Sequence, residues 1–479
     1  MTRQLRTTFA TLARVSVALV SVGLFSFAFV SLAFVSNARA QNADPAPNPF
    51  DTLQGIYSPY MSTADPVGFP MKVRALASDE YKFWRGSKDL FFLWCKSTCQ
   101  DWIKDDKSFL PNHGDLHLGN IGTYVSEDAP ADAPFSKLGF GMVDFDDSAR
   151  MPFEFDLLQG VITLELVARQ NKIALTPDEK QALINTLFDT YKLAINSQRN
   201  ATELLKADPL VASLLDEAGK KAYESDLKKF TKDGNFRTGI YKKKALTDLL
   251  DPVDPQRFDA FAQAISDAVK NDERLASYMS SHEPAQIRKL IKDVTRRTRI
   301  GSAGSQGLNK FLVLLDAPFA ARGMKHDVIL YLKQQIPTAA ERSQIIPRDP
   351  RTPGQRCAQD TDKMTDPRPA FNSWAEMDGK SYWVYFKEPW SNELAYDEVT
   401  DAASLKQMAV IWGNVVGATH RDDGRFELVL PRFTDEVKQQ VRTRADAYVA
   451  YQSEAFKAFV DNPQTKQAIK VVEAFLATK

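Results

Sequence analysis

Asn112-His-Gly-Asp-Leu-His-Leu-Gly-Asn-Ile-Gly122 places two of the chain's five histidines around an aspartate. His113-x-Asp115-x-x-x-x-Asn120 has the spacing of a phosphotransfer catalytic loop. In such a loop the aspartate accepts the proton of a substrate hydroxyl, and the asparagine five residues later holds magnesium. About twenty residues on, an apolar run ending in Gly141-Met-Val143 delivers Asp144-Phe145-Asp146-Asp147. Asp144 stands where a second metal-binding acid should follow a strand, with Asp146 close behind. Together these residues offer one base and two or three of the hard oxygen ligands that magnesium prefers. Alone, the first stretch is equally an exposed polar turn, and Asp146 and Asp147 are equally helix-capping acids. Their order, with an apolar strand before the acids, favours a phosphate-handling site.

Such a site also needs a glycine-rich strand-turn-strand over the phosphates and a lysine on the next strand. Upstream of His113 there is neither. Downstream, Gly301-Ser-Ala-Gly304-Ser-Gln-Gly307 lies between two strand-like runs, and Lys333 ends the next, Val328-Ile-Leu-Tyr-Leu-Lys333. By itself the glycine triplet is a flexible hairpin and the lysine a solvated strand end. No Gly-Lys-Ser/Thr follows, so this is not a Walker A loop.

The elements that would position these residues follow from periodicity. Ala64 to Asp106 reads as helical with a break at Phe83-Trp84-Arg85-Gly86, and Leu138 to Asp144 as a buried strand. A long helical region covers Phe153 to Lys292, with one clear start at Thr176-Pro177-Asp178-Glu179, an N-cap, an N1 proline and a capping-box acid. From Thr295 the pattern turns to strands and implies a small antiparallel sheet. After a short helix and a strand over Tyr382 to Lys387, helices fill Ala402 to His420 and Glu436 to the C-terminus.

Of the 479 residues, 44% are hydrophobic and 25% charged, enough for a globular core. That length favours two lobes. Residues 1–40 read as an export signal: Arg3, Arg6 and Arg14 precede the apolar run Val15 to Val35, and Ala38-Arg39-Ala40 fits the cleavage pattern. An uncleaved anchor is the alternative, since the run is long enough to span a bilayer. Either way the remainder is expected in the periplasm or outside the cell. Without the four arginines of the signal, 57 basic residues face 61 acids, and no basic stripe suits a nucleic acid or a membrane surface. Cys95 and Cys99 could pair only where a helix ends between them, because helical residues four apart hold their Cβ atoms too far apart. Three free thiols remain the alternative.

His-Gly-Asp-x-His-x-x-Asn-x-Gly, Asp144-Phe-Asp-Asp147 and Phe153-x-Phe-Asp156 together resemble a bacterial family known as domain of unknown function 2252, which is kinase-like. Phe83-Trp-Arg85-Gly86, Gly301-Ser-x-Gly304, Leu-x-Lys333, Gly354-Gln-Arg and Ala418-Thr-His420 fall in that family's order. The resemblance implies an α+β, protein kinase-like two-lobe fold in circularly permuted order, helical lobe first and sheet lobe second. Its parts would be a linker at 41–63, a catalytic-loop and helical lobe at 64–293, a nucleotide-binding sheet lobe at 294–420, and a helical segment at 421–479 packing back on the first lobe.

Under that resemblance Asp115 is the base, and Asn120, Asp144 and Asp146 hold Mg²⁺. Gly301, Gly304, Gly307 and Lys333 bind the phosphates of ATP or another nucleotide, and a small-molecule or surface hydroxyl is the acceptor. Asp156 braces the catalytic loop, while Arg85 either meets phosphate or sits in a structural ion pair. One departure stands out: the acid that should pair with Lys333 falls near Gln359, with Asp360 beside it. A non-catalytic module binding nucleotide or phospholigand, and a metal-dependent phosphohydrolase using His113 and His117, are the competing functions.

Overall fold

The computed structural model describes residues 48–478 apart from 62–66, 128–136, 222, 244–245, 280, 319–325 and 388. The expected export segment lies outside the described residues. The expected linker lies outside them in part. Its described end is no linker, because Pro49–Tyr57 forms helix α1 and buries Phe50, Leu53 and Tyr57. Among the described residues no helix is long and apolar enough to cross a membrane.

Three helices lead to the first motif: α2 (Gly68–Leu76), α3 (Glu80–Gly86) and α4 (Lys88–Thr98). The Phe83-to-Gly86 break falls at the end of α3, where Ser87 separates it from α4. Four short strands follow. β1 (Phe109–Asn112) pairs with β4 (Ala149–Pro152), and β2 (Ile121–Val125) pairs with β3 (Leu138–Met142), all antiparallel. The two ribbons are nested in sequence, so the turn after β1 and the turn after β3 come out side by side. Helix α5 (Glu154–Gln170) follows β4 and is buried along nearly its whole length, its polar residues Glu154, Asp156 and Gln159 included.

Helix α6 (Pro177–Ile195) starts at the capping box read from sequence: Thr176 Oγ1 accepts from Glu179 N–H, and Glu179 accepts from Thr176 N–H. The long helical region ends sooner than expected, however. After helix α7 (Tyr223–Phe230) the chain makes the short strands β5 (Thr231–Lys232) and β6 (Asn235–Phe236), then β7 (Gly239–Lys243) and β8 (Leu246–Pro252). Helix α8 (Phe258–Asn271) intervenes before β9 (Ile291–Ile300), β10 (Lys310–Leu315) and β11 (Val328–Gln335). Helix α9 (Pro353–Met364) precedes β12 (Asn372–Met377) and β13 (Lys380–Phe386). The sheet has seven strands in the order β12-β13-β11-β10-β9-β8-β7, so it begins about fifty residues before residue 294. β10 and β11 lie inside it, buried along their whole length. One face packs on α8 through Phe261, Phe311, Val313 and Leu330; the other carries Leu312, Tyr331 and Leu250 under Phe230 and Phe236.

Helices α10 (Ala402–Arg421), α11 (Asp435–Asp461) and α12 (Pro463–Ala477) close the chain, α10 and α11 packing on α5. The last two are divided at Asn462-Pro463, where a single helix was expected. The fold is thus mixed α+β.

Helix α10 approaches α6 backbone to backbone. A Cβ added at Gly413 would lie 2.5 Å from Leu187 O, and one at Gly417 2.6 Å from Tyr191 O. Gly413→Ala should therefore force the two helices apart, costing about 1–3 kcal/mol, the usual range for overpacking. The check is a lower urea midpoint at unchanged slope.

Candidate functional site

The turn after β1 is held from below by the first turns of α5. His113 N–H donates to Asp156 Oδ2 at 3.1 Å, Leu116 N–H to Gln159 Oε1 at 2.8 Å, and Gln159 Nε2 to Gly114 O at 3.2 Å. Asp156, itself fully buried, also stands 3.5 Å from His420 Nε2, whose other ring nitrogen is 3.0 Å from Tyr191 Oη. Asp156 therefore carries backbone and does not face the cleft. Gly114 has φ +78°, and a Cβ there would come within 2.0 Å of Asp147 O, so only glycine fits between the two turns.

Neither histidine ring hydrogen-bonds an acid, although His117 Nε2 stands 4.0 Å from Asp115 Oδ2. His113 Nε2 lies 2.9 Å from Val143 O and its ring packs on Phe145; burial lowers its pKa, so the neutral ring donates to that carbonyl. His117 Nε2 accepts from Arg85 Nε at 3.2 Å, with its pKa held well below the usual value by burial and then by Arg85. Among the described residues no three His, Cys, Asp or Glu side chains gather as a metal cluster.

Asp115 sits at the mouth of the turn with its side chain 16% exposed. Asn120 Nδ2 donates to Asp115 O at 2.8 Å, which locks the five-residue spacing into a closed loop. Lys88, the first residue of α4, brings Nζ to 3.4 Å from Asp115 Oδ1 and 3.1 Å from the centre of the Trp84 ring. Burial pushes Asp115 up to about 7, Lys88 opposing; burial likewise lowers Lys88 to about 7, Asp115 opposing.

The turn after β3 carries the acids. Lys333, reaching over from β11, bonds Asp144 Oδ1 and lies 2.6 Å from Asp146 Oδ2. Gln335 Nε2 donates to the other oxygen of Asp146 at 2.7 Å. The acids open to solvent, Asp144 at 45% side-chain exposure, while Lys333 at 6% lies beneath them. Burial alone would raise Asp144, yet Lys333 outweighs it and holds the carboxyl below its usual value. Asp146 goes the other way, to about 6, through burial and the neighbouring charge of Asp144.

No acid of α9 reaches Lys333. Gln359 instead meets Arg351 at 3.3 Å, and Asp360 pairs with the same arginine at 2.8 Å. The contribution of α9 is Arg356, 1% exposed, whose guanidinium donates to Ser148 O at 2.7 Å and Asp146 O at 2.5 Å. Asp147 accepts from Ala339 N–H at 2.6 Å. The acid turn is thereby clamped from both sides.

Gly301 and Gly307 adopt positive φ, +90° and +88°, at the ends of the turn between β9 and β10. This turn is no free hairpin. Lys72 of α2, fully buried, donates to Ala303 O and Gly304 O at 2.7 Å each, and a Cβ on Gly86 would strike Ala303 O at 2.7 Å. The structure thus brings Asp115, Asn120, Asp144, Asp146 and Lys333 together, with the glycine turn pinned against α2 and α3, the latter also carrying Arg85.

The whole set spans the region that a family model matches, residues 64–462. The chain belongs to that family, described as "Uncharacterized protein conserved in bacteria (DUF2252)". Searches of the curated proteins and of the solved structures give no match.

In this DUF2252 chain, sequence reasoning missed Lys88 and Arg356 as site residues. A lysine next to Ser87 at a helix start gave no signal that it would face Asp115. Arg356 stood inside the Gly354-Gln-Arg match, yet nothing local told that its partners were backbone carbonyls two hundred residues away. Cys95, Cys99 and Cys357 are all free and buried; α4 does end at Thr98, as a bridge would require, but the thiols are unpaired. A cavity of about 180 Å³ lined by Leu210, Leu214, Leu394 and Met408 lies apart from these residues.

Removing Arg356 strands buried carbonyl groups. Arg356→Met should cost about 3 kcal/mol, given roughly 1–3 kcal/mol for each buried acceptor left unsatisfied. Arg356→Lys should not restore the loss, because one ammonium lacks the guanidinium fork that spans both carbonyls. Urea denaturation of the three proteins is the measurement.

Proposed function

We propose that this chain is a phosphotransferase of protein kinase-like, circularly permuted build, moving a phosphoryl group from a phosphoanhydride donor to a hydroxyl acceptor. The observation that carries the reading is Lys333. From a sheet strand about two hundred residues downstream, it meets the two acids that follow the catalytic turn. The nested ribbons support it as well, since they set base, amide and acids around one cleft in the order that phosphoryl transfer uses.

The donor set suits a magnesium ion. Asp144 and Asp146 are two carboxylates sharing one ammonium, and Asn120, tied down through its Nδ2, keeps its amide oxygen for a cation. Bound Mg²⁺ would neutralise phosphate oxygens. Lys333 would bind and orient the donor's phosphates. Asp115 would accept the acceptor's hydroxyl proton at its carboxylate, and its raised pKa makes it a base matched to neutral pH. Lys88 would hold that carboxylate in place and favour its charged form.

Asp115→Asn should lower turnover by about 10²–10⁴-fold, the usual worth of a general base, while donor binding persists. Persistence of turnover would sink the assignment. Asp144→Ala should abolish the rise in melting temperature that donor with Mg²⁺ confers.

The pH dependence has a definite sign. Activity should rise as Asp115 loses its proton through about pH 7. Lys88 lowers that value, so Lys88→Met should move the acid limb of the kcat/KM profile to higher pH. A limb that stays in place would show that Asp115 is not the group being titrated.

A further inference from the structure

The phosphate-binding cations in this cleft outnumber what Asp144 and Asp146 can neutralise. Lys310, the first residue of β10, is the cross-strand partner of Lys333, so both side chains leave the same face of the sheet. It is 4% exposed and has no hydrogen bond or ion pair among the described residues. Arg299, near the end of β9, keeps Nε buried without a partner. Lys88 Nζ is already answered by Asp115, 3.4 Å away. Buried cations left unpaired are costly, so Lys310 and Arg299 beside Lys333 point to an anion with several charges.

The same face is closed to a flat base. Two residues before Lys333, Tyr331 is 6% exposed, stands 5.0 Å from the Tyr385 ring, and packs with Leu312, Phe230 and Phe236. The segment that leads from β13 to the helices spends its backbone on β2. Trp390 O accepts from Thr123 Oγ1 at 2.6 Å, and Asn392 O from Thr123 N–H at 2.9 Å. Leu394 N–H donates to Ile121 O at 2.9 Å, and Asn392 N–H to Thr123 Oγ1 at 2.8 Å. A nucleobase is held by an apolar slot and by free donors and acceptors along one edge. Here Tyr331 and Phe230 occupy the slot, and β2 takes the edge.

We infer that the donor is an inorganic polyphosphate, pyrophosphate or longer, in place of the nucleotide that the resemblance implies. The inference rests on the phosphotransferase reading and names its donor. The acceptor oxygen forms a bond to the terminal phosphorus as the P–O anhydride bond breaks. The hydroxyl proton goes to Asp115, and the bond pair leaves on the shortened polyphosphate, whose charge Lys333, Lys310 and Arg299 neutralise. Acceptor and polyphosphate become phosphoester, a chain one phosphate shorter and a proton.

Calorimetric titration of the full chain with tripolyphosphate, ATP and adenosine, each with Mg²⁺, tests this. Tripolyphosphate is expected to bind at least tenfold more tightly than ATP, and adenosine not to compete with it. Lys310→Met should weaken tripolyphosphate at least tenfold without lowering the melting temperature of the free protein. Tighter binding of ATP, displaced by adenosine, overturns the inference and leaves the phosphotransferase reading standing. Tripolyphosphate binding that ignores Lys310→Met overturns it as well, since the sheet face is then not the subsite. Binding of neither phosphate compound overturns inference and reading together.

Discussion

A single buried ammonium holds the two halves of this site together. Lys333 leaves the seven-stranded sheet and is shared by Asp144 and Asp146, which leave a turn between two-stranded ribbons packed on helices. Two carboxylates against one cation are under-neutralised, and the imbalance shows in opposite directions: Asp144 is held down by Lys333, while Asp146 is pushed up by burial and by Asp144. Such a set fixes the geometry and leaves Asp146 the more easily protonated of the two acids.

Everything beneath that contact keeps the two turns from drifting. Arg356 bonds the carbonyls of the acid turn, Ala339 N–H donates to Asp147, and Gly114 lets the turn after β1 lie against Asp147 O where a Cβ could not. Asp156 and Gln159 support the turn after β1 by its backbone. These groups act on main chain, so they set position without touching what binds.

How much of this was legible in the sequence follows from the range of each interaction. Asp115, Asn120 and Asp144 lie within thirty residues of one another, and their types and spacing mark them as a group. The glycines and Lys333 are legible as the strand-turn-strand and strand-end lysine that a phosphate site needs, and the resemblance adds the permuted order. Lys88 and Arg356 escaped, since their partners are fixed by tertiary packing. β7 and β8 escaped for a different reason. Gly-Ile-Tyr-Lys-Lys-Lys-Ala-Leu-Thr-Asp has no clean alternation, and Asp248 reads as a solvated acid, whereas in the sheet it is a buried partner of Arg297 at 2.9 Å. The missing glutamate on α9 was read correctly as missing. The acid turn itself supplies counter-charges for Lys333.

The pairing of Lys88 with Asp115 carries the chemistry one step further. Burial penalises both charges, so each group alone would favour its neutral form, and only their mutual attraction keeps the ion pair competitive near neutral pH. The two therefore titrate as a unit. With the proton on Lys88, Asp115 is charged and the lysine a cation; under the proposed phosphotransfer these would serve as base and phosphate contact, and moving the proton across would remove both at once. An arriving polyanion would favour the first arrangement, since it adds negative charge near Lys88. Donor binding in this cleft would then itself prepare the base, linking the order of events to the electrostatics of two side chains 3.4 Å apart.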